Sequence, residues 1–242
     1  MRKNALYLAT RNLYQDMMVC MKSLLCNTSV EKVYCMIEDD RVPYYFPDCV
    51  QFINVKDQTY FSPRGRNYRT RSTYMSMMRV VATKYLDEDI TLCLDCDTIF
   101  KKNGDELFNT DLGDNYISAT LEANGDYKPM KNYCNTGVML MNLKKMREDG
   151  MDDVLVGMLN GSAYQVAEQD ALNILFQNKI LFMPPNFNAN NYTKRLLEEE
   201  IVIRHFAAEK RWQACNEYGM YLNMDWEEVE EKNEANKKEA KQ

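Results

Sequence analysis

Two aspartates spaced two residues apart, Asp95 and Asp97, directly follow the apolar segment Ile90–Leu94. If the backbone stays extended here, both carboxylates project to the same side of a strand end. Paired carboxylate oxygens suit hard cations such as Mg²⁺ or Mn²⁺, which complete their coordination with water and substrate phosphates. The pair therefore favours a metal site that handles a phosphate-bearing substrate. A solvated acidic turn is the alternative for such a pair taken alone.

Other residues that could do chemistry are one histidine and a group of arginines. His205 lies near the end of the short apolar segment 201–206, where it is either a ligand or a structural histidine. The densest basic patch lies in a loop at 60–71 and comprises Arg64, Arg66, Arg69 and Arg71. These guanidinium groups suit a pyrophosphate or an acidic acceptor, and a solvated loop accounts for them equally well.

Cys93 and Cys96 form a C-x-x-C pattern that we interpret as structural. An odd offset on a strand places the two sulfur atoms on opposite faces, and the single histidine is distant in sequence. The chain's eight cysteines also lack the regular spacing of a disulfide framework. We therefore expect reduced thiols rather than zinc or redox chemistry.

The composition is that of a globular protein, with 45% hydrophobic and 27% charged residues in a chain of 242. The formal net charge of -6 gives the chain no general attraction for nucleic acid. No apolar run approaches the roughly 20 residues that a membrane span requires. Because residues 1–4 lead straight into a strand pattern rather than a signal core, we expect a cytoplasmic protein without a membrane span.

The elements that must position these residues follow a strand–helix–strand rhythm in the first half of the chain. Strands are predicted at 5–9, 32–37 and 50–55, and a helix at 15–25. A further helix at 72–86 leads into the strand that ends at Asp95. This rhythm predicts an α/β fold with a largely parallel sheet.

In the second half, residues 133–143 read as a turn that feeds another apolar strand, followed by a helix at 144–159. Another helix begins at Glu168, where acids in the first turn suit the helix dipole. The almost entirely charged or small residues of 227–242 predict a frayed, solvated helix or a disordered tail.

Five segments, in order, resemble glycosyltransferase family eight, the retaining sugar-nucleotide transferases that include glycogenin and bacterial lipopolysaccharide galactosyltransferases. The segments are 9–14, 94–98, 135–143, 168–173 and 205–212. The resemblance covers roughly residues 5 to 212 and implies a GT-A-type, Rossmann-like single domain with a D-x-D metal site. It implies a glycosyltransferase domain at 1–224, nucleotide-binding over about 1–100 and acceptor-facing over about 101–224, with a charged tail at 225–242.

The resemblance implies that Asp95, Asp97 and His205 hold a divalent ion, Mn²⁺ or Mg²⁺, against the diphosphate of a UDP-sugar. Two carboxylates and an imidazole suit Mn²⁺ better than Ca²⁺. Lys210 and Arg79 would neutralise the charge that grows on the leaving diphosphate. For Arg79, a surface helix residue is the alternative.

The nucleotide would lie against the first matched segment. Tyr14 resembles the aromatic residue that stacks on uracil, with a core tyrosine as the alternative, and Ala9 and Thr10 offer backbone contacts. Arg11 stands where many relatives carry an aspartate that reads the base, so the identity of the base stays open.

The transferred sugar would lie beside the remaining matched segments. The residues implied there are Asn135, Thr136, Gly137, Gln169 and Asp170. Turn chemistry is the alternative for the Asn-x-Gly part. Because an amide is a poor nucleophile, Gln169 favours front-face departure and attack over a covalent intermediate, with Gln169 and Asp170 at the reacting carbon.

This interpretation predicts a retaining transferase that moves a hexose, glucose or galactose, from a UDP-sugar to a glycan, protein or small-molecule acceptor. A sugar-nucleotide or glycan-binding protein without turnover is one alternative. A haloacid-dehalogenase-type phosphatase is another, suggested by the acids near 95–99 and 104–111. The spacing disfavours it, because those enzymes need a Ser/Thr motif and a lysine between the nucleophile and the metal-binding acids.

Overall fold

The computed structural model describes residues 2–40, 42–69, 73–124, 130–207, 209 and 211–241. The described chain contains nine strands. They are β1 (Asn4–Ala9), β2 (Lys32–Ile37), β3 (Val50–Asn54), β4 (Ile90–Leu94), β5 (Thr98–Phe100), β6 (Ile117–Leu121), β7 (Cys134–Asn142), β8 (Ile180–Phe182) and β9 (Ile203–His205).

Seven of these strands form one sheet in the order β3-β2-β1-β4-β7-β6-β8. Strands β3, β2, β1 and β4 are parallel, and β8 is parallel to β6. Strand β7 runs antiparallel to both β4 and β6. The mostly parallel α/β sheet is confirmed. Strands β5 and β9 form a separate antiparallel pair.

Eight α-helices cover or flank the sheet in the described residues. They are α1 (Tyr14–Asn27), α2 (Thr73–Met77), α3 (Asp105–Phe108), α4 (Leu143–Glu148), α5 (Met151–Gly161), α6 (Ala167–Leu175), α7 (Asn216–Asn223) and α8 (Trp226–Glu239). Strand β1 is buried along its whole length and divides the core: Ala5 and Tyr7 face one cluster, and Leu6 and Leu8 face the other. Burial on both faces is typical of a central parallel strand.

Two helices predicted as continuous are broken in the structure. The segment 72–86 becomes α2 and a 3₁₀ helix at Met78–Lys84, in which Val81 has non-helical dihedrals (φ -105°, ψ 15°). The segment 144–159 becomes α4 and α5, because Gly150 adopts a left-handed conformation (φ 65°) between them. The turn expected at the start of 133–143 is instead part of β7.

The charged C-terminal segment forms helix α8 and packs against the core. Val229 is fully buried, and Asn233 donates to the Val30 carbonyl over 3.1 Å. Lys22 of α1 donates to the carbonyl of Met224, two residues before the start of α8, over 2.6 Å. The helix alternative predicted for this segment is therefore found, but the helix is docked along one face rather than fully solvated, because Val229 and Asn233 make contacts among its charged residues.

Among the described residues, no helix combines the length and apolar character needed to cross a bilayer.

Candidate active site

Asp95 and Asp97 lie in the turn between β4 and β5. The Asp95 amide donates to the Gly137 carbonyl over 2.8 Å, and the Asp97 carbonyl accepts from the Phe206 amide over 2.9 Å. Backbone bonds to β7 and to the residue that follows β9 therefore fix both aspartates. The chain turns rather than staying extended, and its two carboxylates still converge on one site.

His205 reaches this site because β5 and β9 pair with Thr98 opposite His205. Its Nε2 atom lies 3.2 Å from Asp97 Oδ1 and 3.7 Å from Asp95 Oδ2. One ligand atom from each of the three side chains lies within 4.8 Å of the other two. The three residues that the sequence resemblance grouped as ligands are thus neighbours in the fold.

The donor set of this cluster fits a divalent cation such as Mn²⁺ or Mg²⁺. Two carboxylates supply hard anionic oxygens, and an imidazole adds the nitrogen ligand that Mn²⁺ accepts more readily than Ca²⁺ does. The Asp95 and Asp97 side chains are 34% and 29% exposed, so the cluster is open on one side. That opening leaves room for phosphate oxygens.

Arg79 is buried directly behind Asp95. Its guanidinium donates to Asp95 Oδ1 over 2.5 Å and to the Thr136 carbonyl over 2.8 Å. Burial disfavours the charged carboxylate, but Arg79 and His205 outweigh that effect and lower the pKa of Asp95. Burial likewise opposes protonation of His205, yet Asp97 and Asp95 raise its pKa above the ordinary value. The surface alternative for Arg79 is excluded by its 4% exposure.

A cavity of about 430 Å³ opens beside the two aspartates. Six residues predicted for the site line it: Thr10, Arg79, Asp95, Asp97, Thr136 and Gln169. Gln169 Oε1 accepts from the Thr136 amide over 3.0 Å, and its Nε2 donates to the Tyr133 hydroxyl over 3.1 Å. These bonds fix the orientation of the Gln169 amide at the cavity wall.

Other predicted residues lie behind the wall. Asp170 accepts from the Tyr133 hydroxyl over 2.6 Å and from two backbone amides before α6, so it supports the start of that helix. Asn135 is 7% exposed and bonds to neighbouring side chains. A Cβ atom on Gly137 would overlap the His205 ring, so the glycine permits the close approach of that ring to β7.

The first matched segment lines the cavity through Thr10, Asn12 and Leu13 rather than through Ala9 and Tyr14. Tyr14 is 2% exposed and its hydroxyl donates to Asp39 Oδ2 over 2.9 Å, which favours the core alternative over stacking on a base. Arg11 forms an ion pair with the same carboxylate. Ala9 is fully buried at the end of β1. Lys210 lies outside the described residues.

Two buried carboxylates in the cavity wall were not identified as site residues from the sequence. Glu168 accepts from the Ser76 hydroxyl over 2.8 Å and lies 3.9 Å from Arg79. Burial raises the pKa of Glu168, with Arg79 opposing the shift. Its position immediately before Gln169 was the available signal. Asp16 accepts from the Tyr218 hydroxyl over 2.8 Å, and no motif marked it.

Known proteins are similar to this chain over most of its length. The sequence pattern of Glycosyl transferase family 8 matches residues 6–215. The curated protein "Probable glycosyl transferase Gly" of Streptococcus gordonii is 23% identical over 236 residues, covering 89% of this chain and 34% of that protein. The chain thus spans about a third of the length of this relative.

Solved structures share the fold. Glycosyltransferase GlyE of Streptococcus pneumoniae TIGR4 superposes with a TM-score of 0.74 at 19% identity, covering 97% of this chain and 64% of GlyE. The galactosyltransferase LgtC, solved with donor and acceptor sugar analogs, gives a TM-score of 0.68 at 19% identity, covering 95% of this chain and 99% of LgtC. At such identities the superpositions show a common architecture, whereas the family pattern spans most of the sequence itself. The chain belongs to glycosyl transferase family 8.

Proposed function

We propose that this chain is a metal-dependent retaining glycosyltransferase that moves a hexose, glucose or galactose, from a UDP-sugar to an acceptor. The observation that carries the proposal is the convergence of Asp95, Asp97 and His205 beside a cavity large enough for part of a nucleotide sugar. A divalent cation bound there would supply positive charge against the donor diphosphate.

The protein's own residues would orient the metal ligands and contact the sugar. Arg79 holds Asp95 ionised and fixes its orientation, so the carboxylate is ready to bind without rearrangement. Gln169 and Thr136 line the cavity and would contact the sugar, with the Gln169 amide stabilising positive charge at the anomeric carbon. Asp170 would act indirectly, by supporting the start of helix α6. Asn135 and Gly137 would act indirectly too, by helping to position the metal ligands.

The same wall supports retention of configuration. Three of its four carboxylates bond to other partners, Asp95 to Arg79, Glu168 to Ser76 and Asp16 to Tyr218, and the fourth, Asp97, is a proposed metal ligand. Gln169 offers an amide, which is a poor nucleophile. These contacts support front-face attack by the acceptor. The acceptor would be a glycan, a protein or a small molecule, and we place the reaction in the cytoplasm.

The test is donor turnover across a panel of UDP-hexoses with Mn²⁺. We expect activity that is lost in excess chelator and restored by Mn²⁺. Asp95→Asn should lower turnover by about 10²-fold or more, the scale of losing one electrostatic stabiliser. The matched control is Asp57→Asn, because Asp57 is exposed and remote from the cavity lining. Full activity in chelator would overturn the metal site. UDP-sugar binding without transfer would favour a binding protein instead.

A further inference from the structure

The two ring nitrogens of His205 face chemically different partners. Nε2 points toward Asp97 Oδ1 at 3.2 Å, on the side of the proposed metal site. Nδ1 lies 2.8 Å from Asn188 Oδ1 on the opposite side. A neutral imidazole carries a single ring proton, and the nitrogen that binds a metal must be the bare one. The position of this proton therefore decides whether Nε2 can be a ligand.

Taken alone, the carboxylates of Asp95 and Asp97 favour the tautomer with the ring proton on Nε2, which cannot bind a metal through that atom. An ionised carboxylate only accepts hydrogen bonds, so Asp97 attracts the ring proton onto Nε2 and would block that atom. A group on the Nδ1 side must hold the proton there for the ligand to be ready. Asn188 is the side chain that contacts Nδ1, and it does so through an oxygen provided that its amide keeps the observed orientation.

A series of hydrogen bonds fixes the orientation of that amide. Asn188 Nδ2 donates to Asn135 Oδ1 over 2.9 Å. Asn135 Oδ1 also accepts from the Gly137 backbone amide over 3.0 Å, and its Nδ2 donates to Glu122 Oε2 over 2.8 Å. A backbone N–H can only donate, so rotating the Asn135 amide would place two donors together at Gly137 and two acceptors together at Glu122. The Asn135 oxygen therefore faces Asn188, which must present its NH₂ group there and its oxygen to His205.

Burial prevents water from replacing these partners. Asn188 and His205 are each 3% exposed, Glu122 is 6% exposed and Asn135 is 7% exposed. A mismatched amide in this environment would leave buried polar atoms without partners, which is costly. The series of hydrogen bonds thus begins at the Gly137 backbone N–H, passes through Asn135 and Asn188, and ends at the imidazole of His205.

We propose that Asn188 is a positioning residue that holds the ring proton of His205 on Nδ1 and leaves Nε2 bare for a divalent cation. The inference rests on the metal site of the proposed function and assigns a role to a residue outside the predicted site. Ligating histidines commonly donate their second N–H to a protein oxygen, and here the oxygen is an amide oriented by Asn135 and Glu122.

The tautomer can be read directly because His205 is the single histidine. Long-range ¹H–¹⁵N spectra of the metal-free protein with ¹⁵N-labelled histidine, recorded where the imidazole is neutral, should show a protonated Nδ1 and a bare Nε2. In Asn188→Leu we expect the proton to move toward Nε2 and Asp97. In Asn188→Asp, which retains an acceptor oxygen, the proton should stay on Nδ1.

Mn²⁺ binding gives a second readout that needs no turnover. Free Mn²⁺ counted by electron paramagnetic resonance should show about 10- to 100-fold weaker binding to Asn188→Leu, the usual range for losing such a support. The matched control is Asn190→Leu, which removes another buried asparagine of the same segment whose side-chain bonds are local, to Tyr192 and Thr193. Its Mn²⁺ affinity should equal that of the wild type.

The outcomes separate this proposal from the proposed function. A wild-type spectrum with the proton on Nε2, or an Asn188→Leu variant with unchanged spectrum and affinity, would overturn the role of Asn188 and leave the transferase intact. If Asn188→Leu does not fold, movement of the proton to Nε2 in Asn188→Asp would overturn the role instead. A wild-type protein that binds no Mn²⁺, with the proton on Nδ1, would overturn the metal site of the proposed function and this proposal with it.

Discussion

The surroundings of Arg79 in the structure differ clearly from the exposed helix position that the sequence left open. The resemblance implies a contact to the leaving diphosphate, with an exposed helix position as the alternative. The guanidinium is buried against Asp95, with Glu168 nearby, which excludes the exposed position. Burial disfavours the charge of this cation, but Asp95, Cys93 and Glu168 raise the pKa of Arg79. Arg79 in turn favours the ionised form of Asp95 and opposes the rise that burial causes in the pKa of Glu168.

We therefore expect Arg79→Met to destabilise the protein by about 3–5 kcal/mol, because it leaves the buried Glu168 and the partly buried Asp95 without their cation. The measurement is urea unfolding at neutral pH. Arg79→Lys keeps the charge but loses the fork that bonds Asp95 and Thr136 together, so a smaller loss is expected. An Arg79→Met protein as stable as the wild type would show that the carboxylates find other partners.

At the scale of elements, the site depends on how closely β9 approaches β7. The bare face of Gly137 accommodates the His205 ring, and the Asp95 amide bonds to the Gly137 carbonyl. One residue thus contacts two of the three proposed ligands. The Asn-x-Gly pattern of the sequence reflects this approach within a strand, rather than the turn that such residues often form.

Gly137→Ala should consequently displace the imidazole, cost about 1–3 kcal/mol of stability and weaken Mn²⁺ binding. Thermal unfolding and Mn²⁺ titration measure both effects. Gly157→Ala is the matched control, because Gly157 is exposed in α5 and no atom lies within 4 Å of the place that a Cβ atom would take, and we expect it to stabilise by about 0.5–1 kcal/mol. Normal Mn²⁺ affinity in Gly137→Ala would contradict the close-approach argument.

Helix α8 gives a second prediction at this scale. Val229 is fully buried against the core although its neighbours in the helix are charged. Val229→Ala should cost about 2 kcal/mol, since it removes buried apolar surface and leaves a small cavity. Glu230→Ala, at an exposed position of the same helix, should change stability by less than about 0.5 kcal/mol. Equal effects of both variants in urea unfolding would indicate that α8 is detached in solution.

For the whole molecule, protons and a divalent cation would compete at His205 in the proposed metal site. Asp97 and Asp95 outweigh burial and raise the pKa of His205, so the proton stabilises the metal-free fold below an unfolded pKa of about 6.5, and this contribution is lost as pH rises through the folded pKa. A cation bound in the proposed site would need the unprotonated ring, so its stabilising effect would grow over the same window.

The gain in melting temperature from excess Mn²⁺ and UDP over chelator should therefore increase with pH, from about pH 6.5 through the raised pKa of His205. Thermal unfolding across this range measures the gain. His205→Gln offers a side chain that does not titrate near neutral pH, so its gain should be smaller and independent of pH there. A wild-type gain that is constant across the window would show that His205 is not a ligand.

The sequence by itself determined the α/β class with a mostly parallel sheet and the two aspartates that follow β4. Strand β2 was predicted residue for residue, and the order of the matched segments indicated the family, because strand periodicity and the D-x-D pattern are local in sequence. The break at Gly150 was missed although a glycine there is a sequence signal for a helix end, whereas the non-helical dihedrals of Val81 have no comparable signal in the sequence.

Only the tertiary structure decided which side chains support the site. Asn188 is 53 residues from Asn135 and 17 from His205 in sequence, and nothing in its neighbourhood of asparagines singles it out. Likewise, Tyr14 proved to be a core residue and the helix at the C-terminus proved to be docked. Hydrogen bonds between distant segments depend on where β7 and β9 meet, and that meeting follows from the packing of the whole chain.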